Sequence, residues 1–240
     1  KKSLILFKGS TMSITLYDLS GADRSVRFGP HCWKSKLALA HKQLNFTTEP
    51  VWFTEKEKFA ISEQPLLPVI TDGDKVVNDS WAIAEYLETE YPDAPSLFAN
   101  DEAKAKAESF HQWTSSTLSK HIPGILILDL YNIIADQDKE YFRSTREQRL
   151  GTTLEAFAAT PEKYIDGLRT ELDYVRDLLA TQNYLGGDKP DYRDICLLGT
   201  FLWIATAGTN DFLAKDDIVY TWYQRVLNDY SEVIPQSIIA

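Results

Sequence analysis

The sequence is poor in cysteine, with only Cys32 and Cys196 among its 240 residues. Two cysteines cannot form the disulfide framework of a small secreted domain, and they fit a reducing compartment. Long apolar runs are also missing, since none approaches the roughly 20 residues that a transmembrane helix needs. The apolar run near the start is shorter than a signal-peptide core of roughly 7–15 residues. We therefore expect a cytoplasmic protein that does not enter a membrane, and we interpret residues 1–11 as an extension.

Positive charge is also scarce. The chain has 25 basic and 35 acidic residues, which gives a formal net charge of -10. A field of that sign repels phosphate backbones and anionic lipid, so nucleic acids and membrane surfaces are disfavoured as partners. Aromatic residues, in contrast, are abundant, with 12 Tyr, 11 Phe and 6 Trp. Most of these rings belong in a core, but together they suit an aromatic ligand.

The first half of the chain mixes strand and helix patterns. In order, the patterns predict a strand at 14–19, a helix with an apolar stripe at 33–44, an extended segment at 47–53, hairpin strands at 66–71 and 75–77, and a helix at 79–91. The hairpin turn is Asp72-Gly73, which is a strong signal for such a turn. The order β-α-β-β-α is typical of a thioredoxin-like α/β domain.

The second half is almost purely helical. The proline-rich segment 91–95 ends the preceding helix and supplies a linker. We therefore predict a thioredoxin-like domain at 12–95 and an all-helical domain at 101–240. Within the helical part, Asp191 and Asp194 occupy capping positions at a helix start. We interpret Asp194 as structural rather than catalytic for that reason.

Two segments of the first half carry candidate binding chemistry. In Leu67-Pro68-Val69 the proline opens a strand, either as an ordinary edge proline or within a cis peptide. With a cis peptide, Val69 could pair backbone to backbone with an extended peptide ligand. Asp79-Ser80 opens a helix whose amides and dipole suit a carboxylate, beside which the acid could hold an ammonium group. The alternative for this second segment is a simple N-cap, which is the commoner use.

A third segment, 28–33, lies between the first strand and the first helix. It contains Gly29, His31 and Cys32. A thiol at this place would meet the N-terminus of a helix, which favours its ionised form.

The order and spacing of these segments resemble the glutathione-binding core of glutathione transferases, through residues 67–70 and 78–87. A closer likeness is to the bacterial glutathione-dependent β-etherases and their fungal relatives, the fungal-specific class A transferases. Seven short segments carry that likeness: 16–19, 21–23, 32–34, 37–42, 141–147, 150–151 and 153–155. The similarity runs from about residue 13 to residue 235.

The resemblance implies glutathione as cosubstrate, no metal, a hydrophobic acceptor site between the domains and a homodimer. It implies backbone pairing for Val69 and a clamp for the γ-glutamyl end of glutathione at Asp79 and Ser80. Gln64 matches a loop position that often reaches the tripeptide. The implied glutathione-binding residues are Gln64, Leu67, Pro68, Val69, Asp79 and Ser80.

The chain departs from the family at Gly29, where members usually carry a serine whose hydroxyl donates to the glutathione sulfur. Glycine has no such donor, so the thiolate nucleophile needs another one. We take His31 and Cys32 as candidate catalytic residues: the imidazole could donate to the thiolate, and an exposed Cys32 could form a mixed disulfide. A buried, inert cysteine is the commoner outcome. Ser20, Tyr17 or a backbone amide near Gly29 are further options.

Aromatic residues near the expected domain interface are candidates for the acceptor site. They are Phe28, Trp113, Tyr131 and Trp203. Rings at such places more often belong to the core, but they suit planar phenolic ligands.

The leading functional hypothesis is a transferase or etherase-like enzyme of detoxification, in which glutathione attacks an aromatic electrophile. The second is a non-catalytic ligandin that binds phenolics, motivated by Gly29. The third is a partner-binding module that only uses the fold.

Overall fold

The computed structural model describes residues 14–208 and 211–239. The predicted extension at 1–11 lies outside them. The first part is a four-stranded sheet with strand order β2-β1-β3-β4. Its strands are β1 (Ile14–Leu19), β2 (Phe46–Val51), β3 (Val69–Asp72) and β4 (Lys75–Asn78). The β1 and β2 strands are parallel, and the other two pairings are antiparallel.

Two helices complete the first part, α1 (Pro30–His41) and α2 (Ser80–Glu90), with a 3-10 segment at Lys56–Ser62. The predicted thioredoxin-like β-α-β-β-α order is confirmed. Strand β3 begins later than the pattern predicted, at Val69, because Pro68 has no N–H to donate to a neighbouring strand. The peptide between Leu67 and Pro68 is cis.

The second part is all-helical, as predicted. Its helices are α3 (Asp101–Trp113), α4 (Ile122–Ile133), α5 (Asp136–Leu150), α6 (Leu154–Phe157), α7 (Pro161–Glu171), α8 (Asp173–Leu179), α9 (Tyr192–Ala207), α10 (Ile218–Asp229) and α11 (Gln236–Ile239). A π-helical segment, Thr114–Leu118, follows α3. No regular element lies between α2 and α3, where the sequence predicts the linker.

Helix α9 is the central helix of this part, and Asp194 holds its start. The buried carboxylate accepts from the backbone N–H groups of Leu185, Gly186 and Asp191 at 2.9–3.0 Å. It also accepts from the indole N–H of Trp222 at 2.7 Å. The structural interpretation of Asp194 is therefore confirmed.

Helix α1 lies between the sheet and α9, and nine of its 12 residues are buried. This differs from the single apolar stripe that the sequence predicts. The cause is a close approach at Gly199, where a Cβ would lie 2.9 Å from Lys34 Cγ and 3.3 Å from the Pro30 carbonyl oxygen. Because glycine has no side chain, the two helices meet there and cover Lys34 completely.

A carboxylate in the first turn of α5 joins the two parts at the edge of the sheet. Asp138 is fully buried. Its Oδ2 accepts from the N–H of Phe53 at 2.8 Å, and its Oδ1 accepts from the N–H and the hydroxyl of Thr54 at 3.0 and 2.7 Å. The loop after β2 is therefore held against the helical part.

The Asp138→Asn variant is expected to lower the free energy of unfolding by about 1–3 kcal/mol, because an amide nitrogen would replace a carboxylate oxygen that faces donors. Urea unfolding measures this change. Asp136→Asn in the same turn is the matched control. Asp136 is exposed and forms a surface ion pair with Lys139, so its variant should stay within about 0.5 kcal/mol of wild type. Equal effects of the two substitutions would contradict the assignment.

Candidate active site

Two adjoining cavities lie where the start of α1 faces the helical part. The larger has a volume of about 470 Å³ and the smaller about 190 Å³. They share the walls formed by Leu19, Pro30, His31, Phe53 and Arg146. These five residues therefore form the boundary between the two cavities.

The smaller cavity is walled by the N-terminus of α1 and by the loop before β3. Gly29 and Cys32 line it on one side, and Leu66 and Leu67 line it on the other. Helix α1 begins with Pro30 and has no acidic residue in its first turn. Its positive end therefore keeps its attraction for an anion.

The N-terminus of α2 lies next to His31. Asp79 has a φ of 74°, and its Oδ1 accepts from the N–H groups of Trp81 and Ala82 at 2.9 and 3.1 Å. The buried Ser80 has its hydroxyl 3.4 Å from Nδ1 of His31. The simple N-cap is therefore present at Asp79, while the hydroxyl of Ser80 faces the histidine.

His31 is neutral near pH 7. Burial lowers its pKa to about 4, and the nearby charge of Lys34 acts in the same direction. A neutral imidazole that accepts a hydrogen bond at Nδ1 carries its proton on Nε2. In the tautomer that accepts from the Ser80 hydroxyl at Nδ1, His31 is a donor at Nε2.

Cys32 is buried, with 2% of its surface exposed. Burial raises the pKa of its thiol far above the usual range, and the charge of Asp18 adds to the effect. Gly29 stands against this sulfur, since a Cβ on Gly29 would lie 2.9 Å from Cys32 Sγ and 3.1 Å from Leu19 Cβ. The Cys32 sulfur therefore fills the space that a side chain at position 29 would need.

Of the predicted glutathione-binding residues, Val69 is misplaced for backbone pairing with a ligand. It lies inside the sheet, opposite Tyr17 of β1 and Asn78 of β4, so strands flank it on both sides. Leu67, one residue before the cis proline, lies outside any strand and lines the smaller cavity. The position available to an extended ligand is thus Leu67.

Gln64 does not line either cavity. Its side-chain amide donates to the carbonyl of Leu66 at 2.7 Å and to the hydroxyl of Ser62 at 3.2 Å. Its Oε1 accepts from the N–H of Leu66 at 2.7 Å. The side chain thereby shapes the loop that carries Leu66 and Leu67.

The four predicted acceptor-site rings divide into two pairs. Phe28 and Trp203 line the larger cavity. Trp113 lies in a separate depression with Tyr174, and Tyr131 packs against Phe142 with the guanidinium of Arg143 over its ring. Spacing on the sequence cannot separate these pairs, because all four rings are on or beside helices that approach the interface.

Arg146 is a candidate that residue-level reasoning missed. It lines both cavities, and its Cζ lies 4.9 Å and 4.5 Å from the ring centroids of Phe53 and Phe142. It forms no ion pair with any residue that the structure describes. Burial lowers its pKa. The one available signal was its place in segment 141–147, which carries the family resemblance.

Within the described ranges, no group of three or more His, Cys, Asp or Glu residues could hold a metal ion. None of the helices in residues 14–208 and 211–239 is long and apolar enough to cross a membrane.

Comparisons with known families match both parts of the chain. The sequence model of the glutathione S-transferase C-terminal domain matches residues 105–230. That of the glutathione S-transferase N-terminal domain matches residues 28–90. Among curated proteins, glutathione S-transferase Z1 of Arabidopsis thaliana is 37% identical over 67 residues, which are 26% of this chain and 30% of that protein. A zeta-class glutathione S-transferase of Euphorbia esula is 29% identical over 44% of this chain and 47% of its own length. The matches thus span less than half of these curated relatives.

Solved structures match over nearly the whole chain. Glutathione transferase GSTFuA3 from Phanerochaete chrysosporium has a TM-score of 0.82 at 27% identity, covering 92% of this chain and 98% of that one. The glutathione S-transferase CsGST63524 of Ceriporiopsis subvermispora, solved in complex with glutathione, has a TM-score of 0.81 at 25% identity. It covers 93% of this chain and 99% of its own. The fungal relatives that the sequence resembles are thus also similar in structure.

The burial of both cysteines predicts that neither reacts with a thiol reagent such as Ellman's reagent in the folded protein. Both free cysteines should react after unfolding in guanidinium, because the thiolate is the reactive form. A Leu66→Cys variant, whose position is 69% exposed beside the smaller cavity, is the positive control. Rapid labelling of a thiol in the folded wild type would contradict the buried assignment of these cysteines.

Proposed function

Because this chain belongs to the glutathione S-transferase family, we propose that it binds glutathione in the smaller cavity and transfers it to hydrophobic aromatic compounds in the larger one. The observation that carries this proposal is the pair of adjoining cavities that share His31. The smaller cavity is walled by the N-terminus of α1 and by the loop before β3, which suit a peptide, and the larger cavity is largely apolar. Detoxification of such compounds, with cleavage of aryl ethers as one reaction, is the role that we propose.

The γ-glutamyl end of glutathione is assigned to the start of α2. Two amides of its first turn are capped by Asp79 itself, and the Ser80 hydroxyl donates to His31, which leaves the N–H of Ser80 for the ligand carboxylate. The Oδ2 of Asp79 is then the group for the α-ammonium. The backbone of Leu67 pairs with the cysteinyl residue of the tripeptide, in place of Val69.

The sulfur of glutathione is assigned to the space between Gly29 and His31. A thiolate there faces the positive end of α1 and the Nε2–H of His31, and both favour the ionised form. Cys32 takes no part in the reaction, since its thiol is buried and protonated. The donor that the family usually takes from a serine hydroxyl is thereby replaced by the imidazole.

The acceptor is assigned to the larger cavity, against Phe28, Phe53 and Trp203. Apolar burial and ring contacts suit a planar phenolic compound. In the ether reaction, the thiolate attacks the carbon of the ether: the C–S bond forms, the C–O bond breaks, and the electron pair leaves with the phenolate oxygen.

The proposal also includes a cytoplasmic homodimer, as the resemblance implies. Ile61, in the 3-10 segment Lys56–Ser62, is 62% exposed. Large apolar side chains at such exposure suit contact with a second copy of the chain.

Glutathione binding tests the proposal through the charge of Asp79. In Asp79→Asn, Oδ1 still accepts from the backbone, so the cap persists while the partner of the ammonium group is lost. Calorimetry should show glutathione binding weakened about tenfold, or about 1.4 kcal/mol. Asp74→Asn, at the exposed tip of the same domain's hairpin, makes the same change in net charge and should leave binding unchanged.

Turnover completes that test. Glutathione-dependent conversion of an aryl ether or an isothiocyanate is expected for the wild type. Absence of glutathione binding to the wild type would refute the whole proposal. Binding without conversion across a broad panel of electrophiles would refute only its catalytic part.

The ligandin function is the second candidate, and Gly29 is the observation that favours it. Without a hydroxyl at this place, the protein could bind phenolics while activating glutathione weakly. The crowding at Cys32 Sγ means that Gly29→Ser alone forces the sulfur to move. A serine therefore has to be introduced together with Cys32→Ala.

If the wild type is a ligandin, the double variant Gly29→Ser/Cys32→Ala should turn over at least about tenfold faster than the wild type. The reason is that the new serine hydroxyl donates a hydrogen bond to the glutathione thiolate. Stabilisation of the melting temperature by phenolics should stay the same in both proteins. Cys32→Ala alone is the control and should match the wild type. High turnover in the wild type, with no gain in the double variant, would instead favour the transferase and His31 as its donor.

A further inference from the structure

Lys34 is a buried lysine without a carboxylate partner. It is 1% exposed, and it forms no ion pair with any residue in the described ranges. Its Nζ donates to Thr114 Oγ1 at 3.2 Å and to Ser115 Oγ at 3.0 Å. Burial lowers the pKa of the amine. Placing such a group in the interior is costly, so hydrogen bonds to two hydroxyls rather than to a carboxylate call for a functional reason.

The two hydroxyls at the end of Lys34 differ in what they do with their own hydrogen. Thr114 donates to the carbonyl of His111 at 2.9 Å and is fully used within the helix. Ser115 accepts from Lys34, and no acceptor for its own hydrogen lies among the described residues. Since Ser115 lines the larger cavity, its O–H is left for a ligand there.

The other serines of the cavity wall donate their hydroxyl hydrogens to backbone carbonyls. Ser116 donates to the carbonyl of Gln112 at 2.7 Å, and Ser119 donates to that of Thr114 at 2.6 Å. Ser115 also lies in the π-helical segment Thr114–Leu118, a type of interruption that often occurs at functional sites. The widened turn thus presents one polarised hydroxyl to an otherwise largely apolar wall.

We propose that Ser115 is a catalytic hydrogen-bond donor of the acceptor cavity, oriented by Lys34, and that the cavity selects acceptors carrying a phenolic oxygen as leaving group. This inference rests on the proposed function. As the C–O bond breaks, negative charge develops on that oxygen, and Ser115 donates to it without transferring its proton. The leaving group departs as the phenolate, so atoms and charge balance.

The charges around the cavity favour the same class of ligand. No carboxylate among the described residues lines it, whereas Arg146 and Arg149 do, together with Lys120, whose ammonium pairs with Glu171 at 2.9 Å, in a chain of net charge -10. A fixed donor in a site with little water stabilises developing charge more strongly than the same donor in water. Lys34 acts here as a positioning residue, since it reaches the ligand only through Ser115.

The first experiment measures the pKa of bound para-nitrophenol from the visible absorbance of its phenolate, with S-methylglutathione present to prevent turnover. The wild type should shift the bound ligand about tenfold toward the phenolate, which is one pKa unit. Ser115→Ala should lose this shift, and Ser115→Thr, which keeps a hydroxyl, should retain it. Thr117→Ala is the matched control, since Thr117 lies in the same segment but lines neither cavity.

Lys34→Met should lose the shift as Ser115→Ala does, provided that its melting curve shows a folded protein. Should it fail to fold, the Ser115 variants decide alone. A shift equal in wild type and Ser115→Ala, or no binding of para-nitrophenol by the wild type, would overturn the proposal.

The second experiment compares aryl ethers whose leaving phenols differ in acidity. Ser115→Ala should reduce kcat about tenfold or more for weakly acidic phenols and much less for acidic ones, with glutathione binding unchanged. A uniform loss across the series would overturn the proposal. Because the para-nitrophenol shift needs no turnover, an inactive wild type that still shifts the ligand would refute the catalytic part of the proposed function while leaving intact the hydrogen bond from Ser115 to a bound phenolate.

Discussion

Helix α9 meets helix α1 at Gly199, where the absence of a side chain lets the two backbones approach. That contact positions the functional groups on α1. It buries Lys34, directs its amine toward the segment after α3, and leaves the start of α1 open to the cavities. The start of α9 is in turn fixed by the four hydrogen bonds to Asp194. The buried carboxylate of Asp194 thus orients α9, and α1 packs against α9.

The same region is also assembled across the two parts of the chain. Tyr192 of α9 donates to the carbonyl of Ser80 at 2.8 Å, and Asp138 of α5 holds the loop that carries Phe53. Through both hydrogen bonds, groups of the helical part hold residues of the first part that belong to the candidate site. The cavities therefore depend on packing between the parts, which is also where His31 loses its affinity for a proton.

Local patterns predicted much of this structure. The order of strands and helices follows from periodicity, and the capping role of Asp194 follows from its spacing to the helix start. The sequence was less informative wherever packing between distant segments determines the environment of a residue. The enclosure of Val69 by two strands, the burial of Lys34 and the position of Arg146 at both cavities each depend on residues far apart in sequence. The sequence shows that glycine replaces the usual serine at position 29. It does not show that the Cys32 sulfur occupies the space beside this glycine.

The central claim is that glutathione lies in the smaller cavity with its sulfur at the boundary to the larger one. A crystal structure of this chain with glutathione tests it most directly. The account predicts the sulfur within about 3.5 Å of the His31 ring, the γ-glutamyl carboxylate at Ser80, and backbone pairing at Leu67. Glutathione bound elsewhere, or a sulfur that points away from the larger cavity, would contradict it.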